Sequence, residues 1–261
     1  MSSDSQFLAK INRLIEAQEV FILARIISAA DQQTIGTRVI VDSKGTILVD
    51  REIFSEPQQT LITRKANELL SGNATGVHTL WLRDDTIWDT RKQGALFGVM
   101  FEIVRPQPEL LICGAGHVGN STARLGIFLE YKVTVIDERP EFANRQNFPD
   151  PQIGVVAKPF DVALREQAIT SSTNIVIVTR GHAQDETCLK ETISSRAGYI
   201  GMIGSKRRVN AVFDRLVQDG IDRSLTDKVH APIGLRIGAR TPEEIAVSIL
   251  AEIISLRNPQ K

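Results

Sequence analysis

From residue 108 onward, short apolar runs alternate with longer helical stretches, and this alternation narrows the choice of fold more sharply than anything else in the chain. The runs lie at 110–113, 133–136, 153–157, 175–179 and 199–203. Runs apolar on both faces suit strands that helices cover on both sides, which is the pattern of βαβ units and a parallel sheet. In such a sheet every strand points the same way, so the loops at the carboxyl ends gather on one edge, where ligands bind. Candidate chemistry is therefore sought in the residues that follow each run.

The front of the chain has a different texture. Residues 4–18 read as an amphipathic helix with Phe7, Leu8, Ile11, Leu14 and Ile15 on one side. Residues 20–29 read as a strand, and 37–50 as a hairpin about Asp42-Ser43-Lys44-Gly45. A helix at 57–70 and strands at 77–83 and 95–104 complete a small α+β unit that ends at Pro106-Gln107-Pro108. The expected organisation is thus an α+β domain over 1–105 and an α/β domain over 109–261. The last helix has a well-formed start, with Thr241 as N-cap, Pro242 in the first position and Glu244 for a capping box. Its wide stripe of Ile245, Ile249, Ile253 and Leu256, flanked by Ala246, Leu250 and Ile254, predicts a mostly buried helix.

Composition excludes some function classes. The 261 residues carry 31 Lys plus Arg against 31 Asp plus Glu, so the electrostatic footprint of a dedicated nucleic-acid binder is missing. No run of roughly 18 apolar residues is present to span a bilayer. The polar start (Ser2, Ser3, Asp4, Ser5) lacks the order of a secretory signal, which predicts a cytoplasmic, reducing location. Cys113 and Cys188 should then be thiols, and alone they make no zinc framework.

The sharpest local signal is Gly114-Ala115-Gly116-His117-Val118-Gly119, a GxGxxG that follows one apolar run and opens a helix. Gly114 permits the tight turn, Gly116 lets backbone approach a pyrophosphate held on the helix N-terminus, and Gly119 allows close helix packing. Asp137, twenty-three residues after Gly114 at the end of the next run, stands where a carboxylate would accept ribose hydroxyls. The bland alternative is a structural turn with an Asp capping the next element. His117 would project over a bound phosphate or the crevice, where it could donate to an anion, ligate a metal or sit in solvent. After the fourth run come Thr179-Arg180-Gly181-His182-Ala183-Gln184-Asp185, which places His182 and Asp185 as acid–base candidates facing the same crevice. His182, Asp185 and Cys188, three apart, form a weak metal-ligand pattern; alternatively Asp185 caps the helix and Cys188 is a small core residue. After the fifth run, Gly204-Ser205-Lys206-Arg207-Arg208 puts cations in a first helical turn against the dipole, a conflict that a bound anion would resolve. His230, in the Pro/Gly-punctuated stretch 230–239, could reach the crevice or serve as a packed structural histidine.

These residues resemble the XdhC/CoxI family of accessory factors for xanthine dehydrogenase and related molybdenum hydroxylases. The matching stretches are LLICGAGHVG (110–119), VTVIDERPEFANRQNFP (133–149), IVTRGHAQD with Leu189 (177–189), YIGMIGSKRR (199–208) and HAPIGLRIGARTPEEIAVSILAEI (230–253). The resemblance implies a Rossmann-like carboxyl-terminal domain joined to the smaller α+β domain. It also implies a role in cofactor insertion rather than metabolic turnover: binding molybdenum cofactor (molybdopterin), presenting it for sulfuration and passing it to the hydroxylase. The residues it carries over are Gly114, Gly116, His117, Gly119, Asp137, Arg139, His182, Asp185, Gly204, Ser205, Lys206 and His230. A molybdenum hydroxylase client, a cysteine desulfurase and a second copy of the chain are the implied partners. The amino-terminal half fits less well. Where the family has Ser-x-x-Arg-x-x-Gly, Gly-Gly-Cys and Cys-Gly-Gly segments, this chain has SAADQQTIGTRVIV (28–41), VDREIF (49–54) and KQGALFGVMFEI (92–103).

Two other occupations of the crevice remain open. One is an NAD(P)-linked oxidoreductase with Asp137 on the ribose, Arg139 near a 2′-phosphate and His182 or His117 as proton donor. The other is a scaffold that holds the hydroxylase without any ligand.

Overall fold

The computed structural model describes residues 3–257 apart from 43, 46, 51–55, 72–75, 84–85 and 92–96. The chain divides into two compact units, Met1–Pro106 and Gln107–Lys261, with the division inside the proline-flanked connector.

The first unit contains α1 (Ser3–Glu16), β1 (Phe21–Ala29), β2 (Arg38–Asp42), β3 (Ile47–Val49), α2 (Glu56–Ser71), β4 (Val77–Arg83), β5 (Thr86–Trp88) and β6 (Phe97–Val104). All its pairings are antiparallel, in the order β3-β2-β1-β6-β4-β5. The two-residue period of β1 sorts its side chains between the faces. Ile22, Ala24 and Ile26 pack with Leu61, Ile62 and Ala66 of α2, while Phe21 packs with Phe7 and Leu14 of α1. Lys10 donates to Asp42 at 2.9 Å, and Arg38 donates to Asp50 at 2.7 Å and to Asp4 at 2.5 Å, which tethers α1 to the sheet. The expected stripe on α1 is narrower than its sequence suggested. Phe7 and Leu14, two turns apart, enter the core, whereas Leu8 and Ile15 are rotated off that line and are 54% and 49% exposed. β5 has no counterpart among the sequence expectations. Of the expected hairpin turn and last strand, Ser43 and residues 95–96 lie outside the described residues.

The second unit contains β7 (Glu109–Cys113), α3 (His117–Phe128), β8 (Lys132–Asp137), β9 (Gly154–Ala157), α4 (Phe160–Arg165), β10 (Thr173–Ile177), α5 (His182–Thr192), β11 (Tyr199–Met202), α6 (Lys206–Gln218), α7 (Arg223–Thr226) and α8 (Pro242–Arg257). Its five strands are parallel in the order β11-β10-β7-β8-β9. Counted along the chain this is 5-4-1-2-3, the doubly wound arrangement in which strand order reverses beside β7 and β10. Alternate side chains on the sheet feed two cores. Leu111, Cys113, Ile175 and Ile177 meet Leu189, Val212 and Leu216, while Leu110, Ile112 and Val176 meet Ala123, Ile249 and Ile253. This is why the apolar runs are continuous rather than alternating: both faces are covered.

The start of α8 closes as a capping box: the Glu244 amide donates to the Thr241 hydroxyl at 3.2 Å, and the Thr241 amide donates to the Glu244 carboxylate at 3.1 Å. Leu256, expected on the inner stripe, is 49% exposed because the buried surface ends at Ile253. Residues 230–233 run beside β11, with His230 N–H donating to Ile200 O and Met202 N–H to His230 O. Among the described residues no helix is long and apolar enough to cross a membrane. Replacing the cap, Thr241→Ala, should lower the unfolding free energy by about 1 kcal/mol, read as a shifted urea midpoint by circular dichroism.

Candidate functional site

Two of the three loop glycines are demanded by packing. A Cβ at Gly114 (φ +120°) would lie 2.6 Å from Val178 O, and one at Gly119 would lie 1.9 Å from Gly114 O. Gly116, the N-cap of α3, is different: a Cβ there would meet nothing within 4 Å. No side chain caps this helix, so its first amides retain hydrogen-bonding capacity beside open space, the arrangement that receives an anion. His117 follows at the first helical position and is exposed.

Asp137 departs from the expected ribose acceptor. It is buried, and both carboxylate oxygens are engaged from within the chain. Oδ2 accepts from the Ala115 amide at 2.8 Å and from Arg139 Nη2 at 2.8 Å. Oδ1 accepts from Arg139 Nε at 2.9 Å and from the Arg139 amide at 3.1 Å. Burial alone would push this carboxyl up, but the Arg139 side chain and the two amides outweigh it and hold Asp137 below the usual carboxylate range. The Arg139 guanidinium also lies 3.9 Å over the Phe142 ring. Together these contacts brace the glycine loop against the end of β8.

The metal-ligand pattern is likewise corrected. Asp185 is fully buried, accepting from the Thr179 hydroxyl at 2.5 Å and from Arg208 Nε at 2.7 Å, with Arg208 Nη2 as a second prong. Burial pushes the Asp185 carboxyl up, and Thr179 and Arg208 pull it part of the way back. Neither does it cap α5, whose N-cap is Gly181. Cys188 is fully buried in the core beside Cys113, while His182 is exposed at the start of α5. Three ligands therefore do not converge, and no cluster able to hold a metal ion occurs among the described residues. His182 keeps its place on the carboxyl edge, but Asp185 is not available beside it for acid–base work. The spacing pattern missed this because the partner of Asp185 lies 23 residues further along the chain.

After β11, Gly204 (φ +156°) turns the chain into Ser205, the N-cap of α6, whose hydroxyl accepts from the Arg208 amide at 3.3 Å. Lys206 and Arg207 follow, exposed and without a carboxylate partner among the described residues. Arg180, not singled out by its sequence position, is a third exposed cation on the same edge. A cavity of about 140 Å³ opens between the ends of β8 and β10, and its lining includes Asp137, Glu138, Arg139, Thr179, Arg180 and Gln184. An open groove of about 710 Å³ runs from His182 and Ser205 along α6 past Arg207.

His230 lies elsewhere. Its ring stacks on Tyr199 with centroids 4.9 Å apart, which is the packed-histidine alternative. The Tyr199 hydroxyl donates to Glu252 at 2.6 Å, and Glu252 also accepts the Gly234 amide at 3.1 Å, so this carboxylate pins the 230–240 segment to α8. Burial, and then Glu252, raise the Tyr199 phenol far above its usual value. The signal for Glu252 was present: it stands seven residues after Ile245, on the apolar stripe of α8.

Because the folded-state value of Asp137 is depressed, its stabilisation is fully present above about pH 4 and is lost as pH falls through the lower folded value. Asp137→Asn should therefore cost about 1–3 kcal/mol at pH 7, and the gap to the parent should shrink as pH drops below about 4 in parallel denaturation curves.

The family model described as the XdhC Rossmann domain matches residues 110–253. The uncharacterized protein YqeB of Escherichia coli is 29% identical over 219 residues, 84% of this chain and 39% of YqeB. A probable xanthine dehydrogenase subunit of Bacillus subtilis is 31% identical over 154 residues, 59% of this chain and 44% of that protein. The molybdenum cofactor insertion chaperone PaoD of Escherichia coli is 25% identical over 162 residues, 62% of this chain and 44% of PaoD. The chain thus spans about two fifths of the length of the curated relatives it matches. A crystal structure described as a xanthine dehydrogenase from Bacillus halodurans aligns over 100% of this chain and 97% of its own, with a TM-score of 0.53 and 20% identity, a likeness of fold. With more than half of its length matched by the family model, and with the parallel sheet, glycine loop and strand order in place, the chain belongs to the XdhC family.

Proposed function

We propose that this protein is an accessory factor for a molybdenum hydroxylase of the xanthine dehydrogenase type, holding molybdenum cofactor at the carboxyl edge of its parallel sheet for transfer to the enzyme. One observation carries the reading: the edge presents amides and cations that lack partners among the described residues, at Gly116–His117, Arg180 and Lys206–Arg207. Molybdopterin ends in a phosphate, and amides at a helix N-terminus with flanking Lys and Arg suit that group. Gly116 offers room for close approach with His117 beside it, and Ser205, Lys206 and Arg207 add polar groups at the same carboxyl edge, after β11. The names of PaoD and the B. subtilis relative, a cofactor insertion chaperone and part of a probable xanthine dehydrogenase, support the same class of role.

Sulfuration of the cofactor in this setting would draw its sulfur from a partner, a cysteine desulfurase. The chain has two cysteines, both fully buried, and burial pushes the Cys188 thiol well up, with Cys113 adding to the effect. A transferring thiol needs exposure, which both cysteines lack, and thiolate character, which burial denies Cys188. A hydroxylase client, a second copy of the chain and a cytoplasmic setting complete the proposal. An NAD(P)-linked role finds less support, since the Asp137 carboxylate is already occupied.

The full chain purified from a host that makes molybdopterin should carry pterin and molybdenum above the level from a host that cannot, as read by mass spectrometry. Lys206→Ala with Arg207→Ala should lower that occupancy about tenfold or more and flatten its salt dependence. Equal, background pterin from both hosts would contradict the proposal.

A further inference from the structure

The Asp137 carboxylate is in the right place to hold a ribose and is nevertheless closed. Its Oδ2 accepts the Ala115 amide, so it abuts the glycine loop, where an acid at the end of the second strand grips a dinucleotide's hydroxyls. What closes it is a residue two positions on. Arg139 reaches Oδ1 through Nε at 2.9 Å and Oδ2 through Nη2 at 2.8 Å, a two-pronged contact across the whole carboxylate edge. The guanidinium is held in that pose by the Phe142 ring at 3.9 Å. Beside it, Gln184 donates to Glu138 at 3.2 Å, so the neighbouring exposed carboxylate is also engaged.

We propose that Arg139 is a specificity residue that denies this crevice a ribose diol, so that the site accepts ligands through their anionic oxygens and rejects NAD(H)-type dinucleotides. A diol needs two acceptor positions on Asp137, and each is filled from within the chain at lower entropic cost than a ligand can match. The donors left over belong to Arg139 Nη1, which has no partner among the described residues, and to Arg180 across the cavity, and both favour a phosphate-bearing ligand. The inference rests on the crevice being a ligand site, as proposed above. Its readout is dinucleotide affinity rather than pterin content, so either reading can fail without the other.

The test is calorimetric titration of the full chain with NADH. The parent should show no saturable binding up to about 1 mM, the weak end of the affinity scale. Arg139→Met keeps the aliphatic stem over Phe142 while removing every donor, and it should gain NADH affinity about tenfold or more. The gain should vanish in Asp137→Asn with Arg139→Met, because it runs through the freed carboxylate. Thermal unfolding verifies that each variant is folded, and Arg139→Gln, too short to span both oxygens, supplies a second opening variant with the same expected gain. Tight NADH binding by the parent would overturn the proposal. So would a folded Arg139→Met or Arg139→Gln without any gain, or a gain that survives in the double variant.

Discussion

The carboxyl edge of the parallel sheet exists as a surface because one glycine has no side chain. With the Gly114 carbonyl 1.9 Å from the position of a Gly119 Cβ, the first turn of α3 sits directly on the loop that leaves β7. Any larger residue at 119 would lift the helix from the strand and turn its amides away from the crevice. Gly114 meets a similar limit against Val178, the residue that follows the neighbouring strand β10. The place where strand order reverses is therefore fixed on both sides by backbone contacts rather than by side chains that can move.

On this frame the charges are sorted. Asp137 and Asp185 both arise at the carboxyl edge, and each is drawn inward and paired with an arginine, Arg139 and Arg208. Two anions that would otherwise neutralise the crevice are thereby withdrawn, while Lys206, Arg207 and Arg180 remain exposed with His117 and His182. Cations in the first turn of α6 oppose the helix dipole, typically by 0.3–1 kcal/mol each, unless an anion joins them. Glu138 remains exposed on this edge and is bonded to Gln184. The outcome is an edge whose unpaired groups are donors and whose acceptors are largely spent.

Much of this architecture was legible in the sequence because it depends on short-range rules. Continuous apolar runs marked the buried parallel strands, the apolar runs either side of a turn-prone stretch marked the antiparallel pair β2 and β3, and Thr241, Pro242 and Glu244 marked the start of α8 at their true positions. The glycine loop could be read because a tight turn and a close helix approach each require a residue without a Cβ. What could not be read were pairings made by folding. Asp185 and Arg208 are 23 positions apart, and Glu252 meets Tyr199 from 53 positions away. Even Asp137, only two positions from its partner Arg139, was misjudged, since spacing reveals that an acid stands at a strand end but not which of its oxygens are free. The exposure of Leu8 and Ile15 on α1 has the same origin: periodicity gives a direction, and only the packed sheet sets how wide a stripe it covers.

The central claim is that helix N-termini and cations at the carboxyl edge form one receiving site for an anion. Amide NMR of the full chain titrated with inorganic pyrophosphate addresses it directly. The account predicts saturable shifts concentrated at Gly116–Gly119 and at Ser205–Arg207, fading as salt is raised. Shifts confined to other surfaces, or none at these amides, would contradict it.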